Sequence, residues 1–482
     1  MHTGVVVSLA LYFLLMLGIG VYAWRKSSAD SEGYLLAGRD LSPSVTALSA
    51  GASDMSGWLL LGLPGALYAS GLVEAWIAIG LFAGALVNWI VVAPRLRRQT
   101  EALGDALTIP EFLGNRFPSH AALLRLTSAV IVVVFFTVYT AAGMVGGGKL
   151  FEMAFGGQYL TGVWVTAGVV VIYTAIGGFL AVSLTDFVQG VIMFAALIIM
   201  PLVIVLTSDA SLAAVPQTGF LSLAEGLTAV GWLSAVTWGL GYFGQPHIIV
   251  RFMAIRSADE MPVARNIAMA WMGVCLAGAI GVGLAGRAYV EANGLTLDDP
   301  ETVFILLANL LFPPLVTGFL YAALLAAIMS TISSQLLVSS SSLTEDFYRL
   351  FLRKTAGEKE VVAVGRASVI AVALMGLAIA ADPGSQVLGL VAHAWAGFGA
   401  AFGPMIVLAL TWPRMTGAGA VAGLVTGAAV VIGWIALGWD QAFLGGPGVY
   451  EILPGFVLSW AAIVLVSRAT ARAAAATAPQ GS

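Results

Sequence analysis

The sequence predicts an all-α polytopic membrane protein with about 13 transmembrane helices, and three observations lead to this class. First, the 482 residues are 60% hydrophobic and only 10% charged, whereas soluble domains carry about 25% charged residues. Second, the apolar residues form segments that approach the roughly 20 residues needed to cross a bilayer. Third, the basic residues gather on one side of these segments. The lone Cys275 excludes an intramolecular disulfide.

The apolar segments define a topology with the N-terminus outside and the C-terminus cytoplasmic. In this orientation the inner side holds every Lys and Arg except Lys149 and Arg287, as the positive-inside rule requires. The first segment lacks the basic leader and cleavage site of a signal peptide, so we expect it to stay in the membrane. Residues 473–482 are expected to form a short disordered cytoplasmic tail. The predicted spans are 4–24, 41–70, 73–94, 121–152, 159–181, 185–207, 228–250, 264–290, 315–342, 363–381, 386–411, 416–437 and 452–472.

The second span carries an aspartate among glycines and serines. Asp54 lies between Gly51 and Gly57, and a carboxylate at the bilayer centre costs about 2.5–3.5 kcal/mol on insertion scales. Glycine and serine favour a break in the helix, which exposes backbone carbonyls and amides that are tolerated only around a protein-lined cavity. Broken helices at membrane depth form the ion and solute sites of transporters. The sequence therefore predicts a binding site in span two.

The seventh span shows a second interruption. Trp238–His247 contains three glycines and Pro246, which disfavour a continuous helix. Because spans two and seven lie five apart and cross in opposite directions, we predict two inverted five-span repeats, over about residues 41–207 and 228–411. The alternative is that these glycines only allow close helix packing, and this is our expectation for Gly146–Gly148 and Gly177–Gly178.

Span nine supplies hydroxyl groups. Ala327, Ser330, Thr331 and Ser334 fall at i, i+3, i+4 and i+7 and share one helix face. Opposite a broken helix with free carbonyls, these hydroxyls would complete an all-oxygen cage suited to a hard cation such as Na⁺. The alternative is that each hydroxyl bonds back to the carbonyl four residues earlier.

Several motifs resemble those of the sodium/solute symporter family. They are Gly51–Trp58, Gly177–Ser183, Trp238–His247 and Met329–Thr331. The resemblance extends from about residue 12 to span thirteen. It implies a LeuT-type fold in a single transporter domain over residues 1–472, and alternating access driven by a sodium gradient.

The resemblance also implies an ion site. Its ligands would be the backbone carbonyls of Ala52, Met55 and Ala327 and the hydroxyls of Ser330 and Thr331, which agrees with the predicted cage. Asp54 would either bind sodium directly or orient the broken backbone, and we favour the indirect role.

Two further features concern sodium. Asp186 is expected to cap span six, although some relatives have a second sodium site at positions that match Asp186, Ser333 and Ser334. Arg39 matches a family position linked to sodium release, with a simple topological charge as the alternative.

For the substrate, the resemblance implies L-proline. Its carboxylate would sit on backbone amides near Ser56 and Gly57, where a half-helix N-terminus offers partial positive charge. Its ring would pack against aromatic side chains, and its ammonium would need a tyrosine hydroxyl or a carbonyl. The implied substrate residues are Ser56, Gly57, Trp58, Tyr139, Trp238, Tyr242, Gln245 and Pro246.

Other functions fit the sequence less well. The same machinery could carry another small amino acid or a carboxylate. An intramembrane protease is disfavoured because no Ser/His or metal-His arrangement occurs, and a channel would need a continuous pore ring. We therefore expect a transporter and not an enzyme, located in the bacterial cytoplasmic (inner) membrane. We expect its partners to be sodium, L-proline and the lipid bilayer, with no nucleic acid and no obligate protein partner.

Overall fold

The structure, a computed structural model, describes residues 2–26, 36–208, 211–212 and 215–477, and it is predominantly helical. The α-helices of these residues are numbered in chain order. They are α1 Thr3–Lys26, α2 Pro43–Asp54, α3 Leu63–Ser70, α4 Ala75–Val91, α5 Ala93–Ala102, α6 Ile109–Arg116, α7 Ala121–Phe155, α8 Tyr159–Thr207, α9 Ala229–Val236, α10 Pro246–Ala254, α11 Met261–Ala292, α12 Val303–Leu311, α13 Pro314–Ser341, α14 Glu358–Ala380, α15 Val387–Thr411, α16 Gly417–Ala436 and α17 Ile452–Thr477.

Shorter elements join these helices. Two strands, β1 Ala442–Phe443 and β2 Gly446–Pro447, form an antiparallel hairpin between α16 and α17. The π-helical turns are Trp58–Gly62 and Ser342–Leu352, and the 3₁₀ turns are Ala37–Arg39, Leu72–Glu74, Pro118–His120, Thr237–Gly244, Ala258–Glu260 and Pro300–Thr302.

The protein is a multi-pass membrane protein. Within the described residues, ten helical stretches are long and apolar enough to cross a membrane. The predicted spans 41–70 and 228–250 consist of shorter helical pieces, and span 159–181 lies in the first part of α8. Thirteen crossings therefore remain a prediction. α17 continues to Thr477, within the predicted tail, and residues 478–482 lie outside the described part.

The two interrupted segments end and restart at identifiable residues. Ser42 caps α2, which ends at Asp54. Met55 then adopts ψ 69°, and helical structure resumes with the π-helical turn at Trp58. In the other segment, α9 passes into the 3₁₀ turn Thr237–Gly244, Gln245 is extended, and α10 begins at Pro246. Proline suits a first helical turn because it has no N–H to leave unpaired.

Burial separates the core helices from the peripheral ones. Of the most apolar 18 residues of α15, 89% are buried inside the protein. The corresponding share is 78% in the stretch that contains α13 and 17% in α1. α13 packs against α1, α7 and α8, and α15 packs against α7, α16, α17 and the turn Thr237–Gly244. α13 and α15 therefore form the core of the bundle, and α1 presents most of its apolar surface outward.

The glycine motifs act in two ways. The packing role expected for Gly146–Gly148 is confirmed, because a Cβ at Gly147 would lie 2.1 Å from Thr166 Oγ1 and a Cβ at Gly148 would lie 2.4 Å from the Tyr159 ring. The expectation for Gly178 is wrong. This residue has φ 60° and ψ −167° and interrupts α8, which requires a backbone conformation that glycine adopts without strain.

Three glycines bring α4 against the Thr237–Gly244 turn at backbone distance. A Cβ at Gly84 would lie 2.1 Å from the Gly239 carbonyl oxygen, and a Cβ at Gly239 would lie 2.2 Å from the Gly80 oxygen. No side chain can therefore be placed between these segments without moving the backbone.

We predict that Gly84→Val lowers the free energy of unfolding of the detergent-purified protein by about 1–3 kcal/mol, because the added side chain overpacks this contact. The melting temperature should fall accordingly. Gly18→Val is the matched control, since nothing lies within 4 Å of a Cβ at Gly18. Equal melting temperatures for the two variants would contradict the packing assignment.

Candidate ion and substrate site

Asp54 lies at the end of α2 and is held by two tyrosines from other elements. Its carboxylate oxygen Oδ2 accepts a hydrogen bond from the Tyr242 hydroxyl, and its backbone carbonyl accepts one from the Tyr139 hydroxyl at 3.4 Å. Asp54 is 2% exposed, and its Oδ1 has no hydrogen-bond partner among the described residues. Asp54 therefore links the two interrupted segments and keeps one carboxylate oxygen available.

The predicted ion ligands of α2 and α13 meet directly. The Ser330 hydroxyl lies 2.7 Å from the Ala52 carbonyl oxygen and 3.1 Å from that of Ala327. Thr331 Oγ1 donates to the same Ala327 carbonyl at 3.2 Å, and Met55 is fully buried. Both hydroxyls thus donate to a carbonyl of their own helix, as the alternative predicted, but the Ser330 hydroxyl also contacts the end of α2. Four of the five predicted groups form one hydrogen-bonded oxygen cluster.

Asp186 lies inside α8, so the expectation that it caps a helix is wrong. The helix already runs from Gly178, and the Asp186 carboxylate instead faces Arg251 of α10. Its Oδ2 lies 3.0 Å from the Arg251 guanidinium nitrogen and 2.8 Å from the Ser49 hydroxyl. Ser334 accepts a hydrogen bond from the same guanidinium group, whereas Ser333 donates to the Ser330 carbonyl.

The predicted substrate residues of the Thr237–Gly244 turn contact a residue that the sequence did not reveal. Trp395 of α15 donates its indole N–H to the Trp238 carbonyl at 2.7 Å. Its own carbonyl accepts from Gln245 Nε2 at 3.1 Å, and its ring meets the Tyr242 ring edge-on at 5.0 Å. Trp395 lies in a largely apolar run, so its contacts could not be predicted from the sequence.

The remaining predicted substrate residues lie near the ends of the interrupted helices. Ser56 and Trp58 are nearly fully buried, and the Ser56 hydroxyl accepts from the Trp58 backbone N–H at 3.4 Å. A Cβ at Gly57 would lie 3.2 Å from Ile328 of α13. Pro246 lines a cavity of about 20 Å³, together with Ile109 and Pro110 of α6.

The end of the molecule near Trp238 holds a larger cavity and a network of charges; we call it the outer end, after the predicted orientation. The cavity has a volume of about 570 Å³, and Trp238 and Glu301 lie in its wall. Lys149 lies 2.7 Å from both Asp299 and Glu301. The Glu301 carboxylate also accepts the N–H groups of Val387 and Leu388, the first residues of α15. Glu301 thus caps α15 from a separate segment.

The opposite, inner end is held by two arginines. The Arg39 guanidinium donates to the Ala106 carbonyl at 2.8 Å and to the Met253 carbonyl at 3.4 Å. Arg125 of α7 lies 2.7 Å from Asp346, which is fully buried and also accepts from the Thr108 hydroxyl. Arg39 therefore joins the loop before α6 to the end of α10, next to the smaller cavity.

The fold and site define a class of protein. Interrupted helices that bring backbone carbonyls, hydroxyls and a buried carboxylate together inside a multi-pass bundle are the construction of a secondary transporter. Residues 34–427 match the sodium:solute symporter family, and the chain belongs to that family. It is not an enzyme.

Named relatives cover almost the whole chain. It is 50% identical over 99% of its length to the osmoregulated proline transporter OpuE of Bacillus subtilis strain 168, whose own length is 97% covered. It is 53% identical to the high-affinity proline transporter PutP of the same organism, with 94% and 95% covered. It is 51% identical to the sodium/proline symporter of Staphylococcus aureus strain JH9, with 96% and 92% covered.

Solved structures share the fold. A Na⁺-coupled sialic acid symporter in a substrate-bound outward-open state superposes with a TM-score of 0.81 at 17% identity, covering 97% of this chain and 98% of that one. Mhp1, a nucleobase-cation-symport-1 family transporter in a closed conformation, gives a TM-score of 0.55 at 14% identity, with 90% and 95% covered.

We predict that Asp54 and Tyr242 are energetically coupled. Tyr242→Phe should destabilise the protein by about 1–3 kcal/mol, because it leaves a buried polar group without its donor. In Asp54→Asn/Tyr242→Phe the two effects should be non-additive by about 0.5–3 kcal/mol in a double-mutant cycle of denaturant unfolding in detergent. Additive effects would show that the bond between the two side chains does not stabilise the site.

Proposed function

We propose that this protein takes up L-proline across the bacterial cytoplasmic (inner) membrane, coupled to the inward movement of sodium, by alternating access. The observation that carries the proposal is identity of 50–53% over nearly the whole chain to proteins named as proline transporters. The oxygen cluster between α2 and α13 supports the coupling, because unwound backbone carbonyls coordinate sodium in transporters with broken helices. The same mechanism with another small amino acid or a carboxylate is the second candidate.

The sodium site in this proposal comprises the carbonyls of Ala52, Met55 and Ala327 and the hydroxyls of Ser330 and Thr331. The 2.7 Å contact between Ser330 and the Ala52 carbonyl supports it, because it brings oxygens of α2 and α13 within reach of one ion. Sodium would replace this hydrogen bond with ion–oxygen contacts and so fix the end of α2. Asp54 would act indirectly, since its carboxylate already accepts from Tyr242.

The substrate in this proposal binds beside the ion. The proline carboxylate would accept hydrogen bonds from the backbone amides around Ser56 and Gly57. A helical segment begins there at Trp58, and its N-terminus carries partial positive charge. The ring would pack on Trp58, Tyr139, Trp238 and Tyr242, which are aromatic and largely buried. Gln245 Oε1, which has no partner among the described residues, supplies an acceptor for the ammonium, and Pro246 starts the adjoining helix.

The fine architecture in this proposal is a LeuT-type arrangement of about 13 spans. Inverted repeats over about residues 41–207 and 228–411 would place the two interrupted segments at corresponding positions. The N-terminus would lie outside and the C-terminus in the cytoplasm. Arg39 would control sodium release at the inner end, since its bonds to the Ala106 and Met253 carbonyls join two segments that border the inner cavity.

Uptake by the purified protein in proteoliposomes tests the proposal. An inward sodium gradient should drive labelled L-proline above its external concentration, and a potassium gradient of equal size should not. An excess of unlabelled proline should suppress this uptake, whereas glycine, glutamate and lactate should leave it unchanged. Accumulation independent of sodium, or suppression by one of the other solutes instead of proline, would contradict the proposal.

We predict that Ser330→Ala/Thr331→Val raises the sodium concentration for half-maximal proline uptake by at least tenfold, because it removes both side-chain oxygens of the cluster; such a shift corresponds to about 1.4 kcal/mol. Ser368→Ala is the control, since the Ser368 hydroxyl donates to the Val364 carbonyl of its own helix, α14. An unchanged sodium dependence in the double variant would show that the ion binds elsewhere.

A further inference from the structure

We propose that Tyr450, in the loop between the β-hairpin and α17, is a positioning residue of the substrate site, because its ring holds the Trp238 indole in the orientation that binds proline. The inference rests on the proposed function and deepens it by extending the substrate site to a further segment. Tyr450 lies far from Trp238 in the sequence and outside the motifs that indicate a transport site, so the fold alone brings the two side chains together.

The Tyr450 ring stacks on the Trp238 indole. The two ring centroids are 5.0 Å apart and the ring planes differ by 25°, a stacked geometry that stabilises an aromatic pair beyond its buried area. Trp238 is 7% exposed and lies in the wall of the larger cavity at the outer end. The hydrogen bond from Trp395 reaches the Trp238 carbonyl and so holds its backbone. Stacking on Tyr450 restrains the side chain itself.

Three polar contacts hold the Tyr450 loop in place. The Tyr450 hydroxyl donates to the Ala392 carbonyl of α15 at 2.8 Å, and the Tyr450 backbone N–H donates to the Ser234 hydroxyl of α9 at 3.2 Å. The next residue, Glu451, is 1% exposed, and its carboxylate lies 2.7 Å from Nδ1 of His393 in α15. The position of the Tyr450 ring is therefore fixed by α9 and α15 together.

A restrained indole favours binding more than it favours the later steps of transport. Without its stacking partner, the Trp238 side chain could leave this orientation, and the fraction of the protein that is competent to bind proline would fall. The apparent dissociation constant would rise by the reciprocal of that fraction. Once proline is bound, its own ring would hold the indole. We therefore expect Tyr450 to set the KM for proline and to leave the maximal rate nearly unchanged.

Uptake kinetics of labelled L-proline in proteoliposomes test the inference. Tyr450→Leu removes the stacked ring and should raise KM by at least about threefold, with a maximal rate per folded protein within about twofold of wild type. Tyr450→Phe keeps the ring, loses the bond to Ala392 and should raise KM by a smaller factor. Phe443→Leu is the matched control and should leave KM unchanged, since Phe443 stacks at the same 25° angle, with ring centroids 4.8 Å apart, but on Trp434.

A double-mutant cycle separates positioning from a general structural role. In a Trp238→Leu background, Tyr450→Leu should raise KM no further, because no indole is left to position. If Tyr450→Leu does not fold, Tyr450→His, which keeps a smaller planar ring, replaces it and should give an intermediate KM.

Three results would each overturn the inference: an unchanged KM in the folded Tyr450 variant, an equal rise in Phe443→Leu, or an undiminished rise in the Trp238→Leu background. All three leave sodium-coupled proline uptake by the wild type intact. A wild-type protein that does not accumulate proline would instead overturn the proposed function and this inference with it.

Discussion

The backbone groups left unpaired where the helices are interrupted impose the constraint on which the rest of this structure depends. In a membrane interior these groups must find partners within the protein. The Ala52 carbonyl accepts a hydrogen bond from the Ser330 hydroxyl, and the Asp54 carbonyl accepts one from the Tyr139 hydroxyl. The Trp238 carbonyl accepts one from the Trp395 indole N–H. Each interruption is thereby tied to a helix outside its own segment, so the position of the break is fixed by tertiary contacts.

This constraint explains why buried hydroxyl groups, such as those of Ser330 and Tyr139, lie opposite the end of α2. A hydroxyl that donates to a carbonyl in one state can exchange that bond for an ion in another, so the groups that stabilise the break are the ones that we propose to bind sodium. The carboxylate of Asp54 contributes differently. By accepting a hydrogen bond from Tyr242, it joins the two interrupted segments. A displacement of one segment would therefore strain or break the bond to the other.

Much of the fold and part of the site could be predicted from the sequence. The glycines around Asp54 and Pro246 indicated where helices end, because their effect is local, and the hydroxyl spacing of α13 indicated a shared face. Trp395 and Arg251 could not be assigned, since their roles arise from contacts with residues more than sixty positions away. Asp186 was misassigned for the same reason, because a helix cap is a local explanation and its partner is not local.

The contact between Gly80, Gly84 and Gly239 has a mechanical consequence. The two backbones touch there without interlocking side chains, so a sliding displacement of one segment along the other requires few rotamer changes, as in shear motions between packed helices. The turn that carries Trp238 and Tyr242 thus packs on α4 through glycine backbone and without interdigitating side chains. In the proposed alternating-access mechanism, this contact would let the turn shift along α4 with little resistance.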